Sequence, residues 1–267
     1  MKKAIFTMLS AWLSLGAARA SDEELPSDWH IGGSIVYSSR SLDGSVVNRN
    51  SLAGDAFGTL IVTGDSMNVD DSNNAMLSLA VQYKRFGIGL NYMPTSFKGS
   101  GYALVAVGGT NVNTMVRTPL ETDISVNMLL VNAYYNIIQT TNSVFGVGLG
   151  FGRTTVDIGI VPDVGPAIIY DGTQPFGFLS LHMQNRYKQF LYGFSLNGIS
   201  ADFEGVGVVY SDYKVDLGYR LVDGRQKVDL VGGYRMVNFA LDLEWAGNTT
   251  DTDVTLEGPF LGVKMIY

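Results

Sequence analysis

Only two histidines occur in the 267-residue chain, and spacing gives one of them neighbours suited to acid-base chemistry. Residues 179–187 and 190–196 alternate in polarity on either side of Lys188-Gln189. A two-residue turn there pairs Tyr187 with Phe190, and counting back sets His182 directly across from Ser195 on one face. Asp216 falls at a similar depth on the next alternating segment. A serine, an imidazole and a carboxylate can therefore be drawn together as nucleophilic catalysis requires. The same residues also read as a satisfied polar cluster. No neighbouring run offers oxyanion donors, and a site this deep has no substrate path, so the expectation is no catalytic residue and no enzyme.

Other chemistry is weaker still. Gly146, Gly148, Gly150 and Gly152 recur with period two and no Lys-Ser/Thr follows, which is not the spacing of a nucleotide-binding loop. Glycine on such a face makes room for large side chains opposite. Asp65, Asp70 and Asp71, and Asp251 with Asp253, match no calcium-loop spacing and read as solvated carboxylates. With no cysteine in the sequence, thiolate metal sites, disulfides and a lipid-modified cysteine are excluded. No metal and no cofactor is expected.

The elements that must position these residues follow from the distribution of apolar side chains. Lys2 and Lys3, an apolar run from Ala4 to Leu15, and Ala18-Arg19-Ala20 have the layout of a secretory leader cleaved after Ala20. Residues 1–20 are expected to be removed, leaving one domain over 21–267. Losing Lys2, Lys3 and Arg19 takes the net charge from −7 to about −10. An acidic chain of this kind lacks the clustered Lys and Arg that neutralise phosphates, so nucleic acid is not a partner. Beyond the leader no apolar stretch is long enough for a spanning helix, yet 46% of residues are hydrophobic, with 14 Tyr, 13 Phe and 32 Gly. Apolar residues are spread out by alternation, and in lipid a closed barrel then satisfies the backbone.

Period-two alternation recurs about ten times. Trp29, Ile31, Ile35 and Tyr37 oppose His30, Gly32, Ser34 and Ser38; Leu77 to Tyr83 and Phe86 to Tyr92 form a hairpin through Lys84-Arg85. Further strands are expected near 124–137, 145–152, 179–187, 190–196, 213–220 and 228–245, and over the last ten residues. Within 228–245 the apolar parity moves from Val228, Leu230 and Tyr234 to Phe239, Leu241, Leu243 and Trp245, which predicts a β-bulge near Arg235 to Val237. Long connections at 40–74, 97–123, 160–174, 199–207 and 246–253 alternate with tight turns, the rhythm of outer loops and periplasmic turns. A soluble β-sandwich explains neither that rhythm nor the aromatics at strand ends. The fold class expected is all-β: a closed antiparallel transmembrane β-barrel of about 10 strands (8 to 12), with the first strand pairing the last.

The faces opposite the lipid-facing rows carry both charge signs: His182, Arg186, Ser195, Lys214, Asp216, Arg220, Asp229 and Arg235, with His30, Gln82, Asn91, Asn132, Gln184, Asp242, Glu244 and Lys264. In a narrow lumen such charges must be paired, so a plugging network is expected ahead of an open pore.

The final segment, Gly258 to Tyr267, places Leu261, Val263 and Met265 at every second position before a terminal aromatic. It resembles the C-terminal assembly signal of Gram-negative outer-membrane barrels. With Gly232-Gly233-Tyr234-Arg235 it resembles the small barrel families of the outer membrane protein A and W types. The resemblance implies outer-membrane lipid and lipopolysaccharide as surroundings, and the barrel-assembly machinery and periplasmic chaperones as partners in biogenesis. The function expected is a structural barrel or narrow passive channel. A surface adhesin or receptor acting through the long loops is the alternative, and a membrane hydrolase the least favoured.

Overall fold

Alternating apolar and polar residues build a sheet that can bury neither face unless it closes, and closure is what the structure shows. The computed structural model describes residues 29–50, 57–63, 69–107, 114–163, 168–203, 206–245 and 248–267. The strands are β1 (Trp29–Asn50), β2 (Phe57–Thr63), β3 (Ser72–Tyr83), β4 (Phe86–Val107), β5 (Thr114–Gln139) and β6 (Ser143–Pro162). They continue as β7 (Ile168–Tyr187), β8 (Phe190–Phe203), β9 (Val206–Asp223), β10 (Lys227–Trp245) and β11 (Asn248–Ile266). Ten of them form an antiparallel ring in which β1 pairs with both β3 and β11. The short β2 lies outside that ring, paired to the far ends of β1 and β4. Tyr267 completes the closure: its N–H donates to Ile31 O at 2.8 Å and its carbonyl accepts from Ile31 N at 3.0 Å.

One end of the barrel is closed by tight turns. Tyr83 pairs with Phe86 and Tyr187 with Phe190, with Lys84 and Lys188 at φ values of 51° and 57° as the first turn residue. The other end differs from the expected loops. The connections at 97–123 and 160–174 are mostly strand: β4 and β5 stay paired out to Val107 and Thr114, and β6 and β7 out to Ile160 and Ile168. These are hairpins that project beyond the bilayer.

Outside, the parity expected for β1 to β4 holds. Trp29, Ile31, Ile35, Tyr37, Leu77, Leu79, Phe86, Ile88 and Tyr92 are all exposed, as a lipid-facing row must be. Trp29, Tyr83, Phe86 and Tyr135 form a girdle beside the tight turns, with ring centroids 4.7 Å apart for Trp29–Tyr83 and 4.9 Å for Phe86–Tyr135. Tyr187, Phe190 and Tyr219 continue it. Tyr37 marks the opposite girdle; at about 3.3 Å per residue and a tilt of about 40°, it lies roughly 20 Å above Trp29. Met183, on the same parity of β7 as the exposed Leu179 and Tyr187, is buried, with Phe145 and Phe194 as its cross-strand partners.

The bulge expected near Arg235 to Val237 is not there. β9 and β10 stay in register through that stretch, and the irregularity falls between Val228 and Asp229, where β9 contributes the extra residue Leu221. Phe239, expected on the lipid face, is 8% exposed and packs in the interior with Val237. The backbone parity of β10 does not switch between Arg235 and Phe239; the apolar side of the sheet does. In the outer half the interior is apolar, with Phe97, Leu120, Ile124, Ile158, Ile160, Phe176, Phe178 and Leu256 in one buried cluster. The side chains of Leu241, Asp242, Leu243, Glu244 and Trp245 lie outside the described residues, as do Asp65, the Asp251 side chain and residues 1–28 with Ala18 and Ala20.

Candidate functional site in the lumen

His182 on β7 lies opposite Ser195 on β8 and opposite Gly146 on β6, as the turn at Lys188-Gln189 dictates. Its ring turns toward β6. Nε2 lies 3.0 Å from Asn136 Oδ1 on β5, and the ring meets Tyr134 edge-on at 4.9 Å. Asn136 is fully buried and donates its Nδ2 to Gln139 Oε1 at 3.3 Å, so its Oδ1 accepts the Nε2–H. Gly146 permits this passage over the sheet: a Cβ there would sit 2.7 Å from His182 Nε2. Asp216 meanwhile faces Gly193, and its carboxylate pairs with Lys214 at 3.4 Å. The serine, histidine and aspartate share a region of the lumen, but the imidazole serves Asn136 and the carboxylate serves an ammonium.

Two guanidinium–carboxylate forks cross between β9 and β10. Arg220 donates Nε to Asp229 Oδ1 at 2.7 Å and Nη2 to Oδ2 at 3.1 Å, with Asp229 wholly buried. Arg220 also reaches Asp223 at 3.3 Å, and Arg186 from β7 donates to the same carboxylate. Asp223 sits at the turn end of β9, outside the membrane-spanning segment. The hydrogen bond from Arg186 holds its carboxyl below the usual range, and the charge of Arg220 adds to this.

The second fork joins Arg235 to Asp212, with Nε–Oδ1 at 2.8 Å and Nη2–Oδ2 at 2.7 Å. Asp212 further accepts from Asn197 Nδ2 at 2.9 Å and from Tyr210 OH at 3.2 Å. Arg235 Nη1 points to Met76 Sδ at 3.6 Å, and Arg40 on β1 reaches the same sulfur while donating to Thr95 Oγ1 at 3.1 Å. Arg40, Arg235, Asp212 and Met76 thus form a layer that spans the lumen from β1 and β3 to β9 and β10. Lys264 on β11 likewise crosses to β7, donating Nζ to Gln184 Oε1 at 3.1 Å. Contacts across non-adjacent strands require a narrow bore.

On the tight-turn side of that layer lies a cavity of about 490 Å³, lined among others by His30, Gln82, Asn132, His182, Lys264 and the Thr140-Thr141-Asn142 turn. On the other side is the largely apolar interior, where the rings of Phe176 and Tyr210 meet at a tilt with centroids 4.6 Å apart and Phe176 lies 6.2 Å from Phe239 across the lumen. Gly150 and Gly152 lie directly under the rings of Phe178 and Phe176, which occupy the places their side chains would take.

The structure brings the expected residues together unevenly. Arg220 and Asp229 face each other, Lys214 and Asp216 are neighbours, and Arg235 turns to a partner outside the expected set. Arg40, Asp212, Tyr210, Met76 and Asn136 were not anticipated. Arg40 and Asp212 each lie one residue beyond the segments whose alternation was read, on the inward parity, so extending the period by one step would have found both. Leu261, Met265 and Tyr267 are exposed on the outward face of β11. Among the described residues no group of three or more His, Asp or Glu could hold a metal ion.

No protein-family model matches the chain, and no curated protein matches it. Solved structures with a similar arrangement include the outer membrane protein AlkL in lipid bilayers, 11% identical, TM-score 0.38, covering 92% of this chain and 97% of that one. OprG of Pseudomonas aeruginosa is 14% identical, TM-score 0.32, with 90% and 95% covered. The Ralstonia pickettii toluene transporter TbuX is 9% identical, TM-score 0.36, with 91% and 90% covered. These are distant likenesses.

Proposed function

For this closed outer-membrane β-barrel we propose the role of a narrow passive channel, shut in the conformation described, with a charge-paired lumen as its barrier. The observation that carries the reading is the abrupt end of the 490 Å³ cavity at the layer of Arg40, Arg235, Asp212 and Met76. Beyond it the buried inward side chains are mostly apolar, with the hydroxyls of Thr118, Thr122 and Thr154 among them, and water entering there must displace those side chains. A barrel serving as a wall alone has no use for a polar vestibule that penetrates half its length. A passive channel needs such a vestibule, together with a barrier thin enough to rearrange.

The barrier is electrostatic as well as steric. The Arg235–Asp212 fork is held by four hydrogen bonds to the carboxylate, and opening it exposes charges whose pairing offsets their desolvation. Recordings from the purified protein in planar bilayers test the reading. Wild type is expected to give small, infrequent openings, and Arg235→Ala with Asp212→Ala to give frequent and larger ones. A silent wild type and a silent double variant, both still migrating as folded barrels, would leave a purely structural role.

A further inference from the structure

The vestibule runs against the charge of the chain as a whole. The sequence carries a formal net charge of −7, yet six basic side chains line this cavity: Arg186, Lys214, Arg220, Lys227, Arg235 and Lys264. The four carboxylates nearest to them, Asp212, Asp216, Asp223 and Asp229, are each already committed to an ion pair. Asp123, Asp157 and Asp171 lie instead on exposed positions of the outer hairpins. The interior surplus is positive, and Arg40 in the layer above adds to it.

Lys264 is one point at which that surplus meets no ion pair of its own. Its Nζ donates to the neutral Gln184 Oε1, and among the described residues it forms no ion pair. Asp229 stands opposite it in the ladder but is held by Arg220, and Asp216 is held by Lys214, so the ammonium gains from a further counter-charge in a lumen of low dielectric. The surroundings are rich in donors. Lys214, 3.4 Å from Asp216, keeps further N–H groups, and Ser195 lies directly opposite Lys214 in register. Gln184 adds an amide whose oxygen is taken and whose N–H groups remain, and all of these residues line the same cavity. The forks of Arg220 and Arg235 are held by carboxylates, whereas the two lysines are compact charges with three donors each. Donors converging where acceptors are already used is the chemistry that recognises an oxyanion.

We propose that the vestibule binds a small oxyanion of the phosphate or carboxylate class, with Lys264 and Lys214 supplying charge and Gln184 and Ser195 supplying neutral donors. At about 30 Å³ per water, the cavity takes such an anion with part of its hydration shell. Binding needs access from the tight-turn side only. It goes beyond the passive-channel reading and does not depend on conduction through the outer half.

Calorimetric titration of the refolded full chain with inorganic phosphate, and separately with acetate, tests this. Saturable binding of at least one anion is expected for wild type and for Lys98→Gln, whose lysine pairs with Asp123 on the outer surface. Lys264→Gln is expected to weaken binding about tenfold or more, since a charge-assisted hydrogen bond is lost. Lys214→Gln makes the same test should Lys264→Gln fail to refold. No saturable binding of either anion to wild type, or equal affinity in wild type and both lumen variants, overturns the proposal. Anion binding in a protein that never conducts would uphold it while removing the channel reading.

Discussion

Arg220 and Asp229 face each other at the one irregularity in the β9–β10 ladder, joined by two parallel hydrogen bonds of 2.7 and 3.1 Å. The extra residue Leu221 lets the two side chains share the inward face, where Asp229 has no solvent exposure. Asp229→Asn is expected to destabilise the barrel by about 3 kcal/mol, because it leaves a buried guanidinium with only the half-exposed Asp223 as counter-charge. Replacing both members, Arg220→Leu with Asp229→Leu, is expected to cost less than that single change. Urea unfolding from lipid vesicles, comparing wild type, Asp229→Asn and the double variant, measures this. Equal or larger loss in the double variant would mean the pair contributes as packing volume rather than as charge.

The rim made by Arg186 and Asp223 gives a pH dependence with a definite sign. Hydrogen bonding from Arg186 lowers the folded-state pKa of Asp223 below its unfolded value. Its contribution is therefore present above the ordinary carboxylate pKa of about 4 and is lost as pH falls through the lower folded value. Asp223 is 46% exposed on its side chain, so solvent screening keeps the effect small. Wild type should be more stable than Asp223→Asn at neutral pH, with the two converging in acid. A gap that persists unchanged below pH of about 3 would assign the difference to something other than ionisation.

Gly150 and Gly152 are where space rather than backbone freedom decides the residue. The rings of Phe178 and Phe176 lie over them, so Gly150→Val must push Phe178 into an interior already filled by Tyr210. A loss of about 1 to 3 kcal/mol is expected, as for other overpacked cores. Phe178→Ala in the same chain should return part of it. Thermal melts of the three variants decide the matter, and an additive loss in the double variant would contradict the contact.

How far the sequence was legible depends on which face of the sheet carried the apolar residues. Trp29, Ile31, Leu79 and Phe86 were readable because lipid demands apolar side chains outside and the bore between the girdles is polar, so polarity and direction coincide. Beyond the bilayer that coincidence ends. Val237 and Phe239 are apolar because they fill an interior, and reading Phe239 as lipid-facing implies a bulge that the register of β10 does not contain. The tight turn at Lys188 fixed the pairing of His182 with Ser195, since register propagates from a two-residue turn. Which side-chain partner His182 would take was not legible. That choice depends on Asn136, two strands away, and on the space above Gly146.

Removing Tyr267 is expected to lower barrel assembly. Its backbone supplies two of the hydrogen bonds that close β11 onto β1, and Arg225 lies 5.0 Å over its ring. Heat-modifiable migration and outer-membrane levels are the readouts. Normal values for both in the truncated chain would show that closure does not depend on the last residue.

The lumen's closure in its outer half is the claim on which the rest depends, and the absence of cysteine from the sequence allows it to be probed directly. Single substitutions Ser34→Cys, in the polar vestibule, and Val237→Cys, in the apolar interior, place thiols at two depths of one bore. Labelling with a small charged thiol reagent in vesicles should modify Ser34→Cys readily and leave Val237→Cys unmodified from either side. If Val237→Cys is modified as fast as Ser34→Cys, the bore is open to water throughout, and the shut, charge-paired lumen is contradicted.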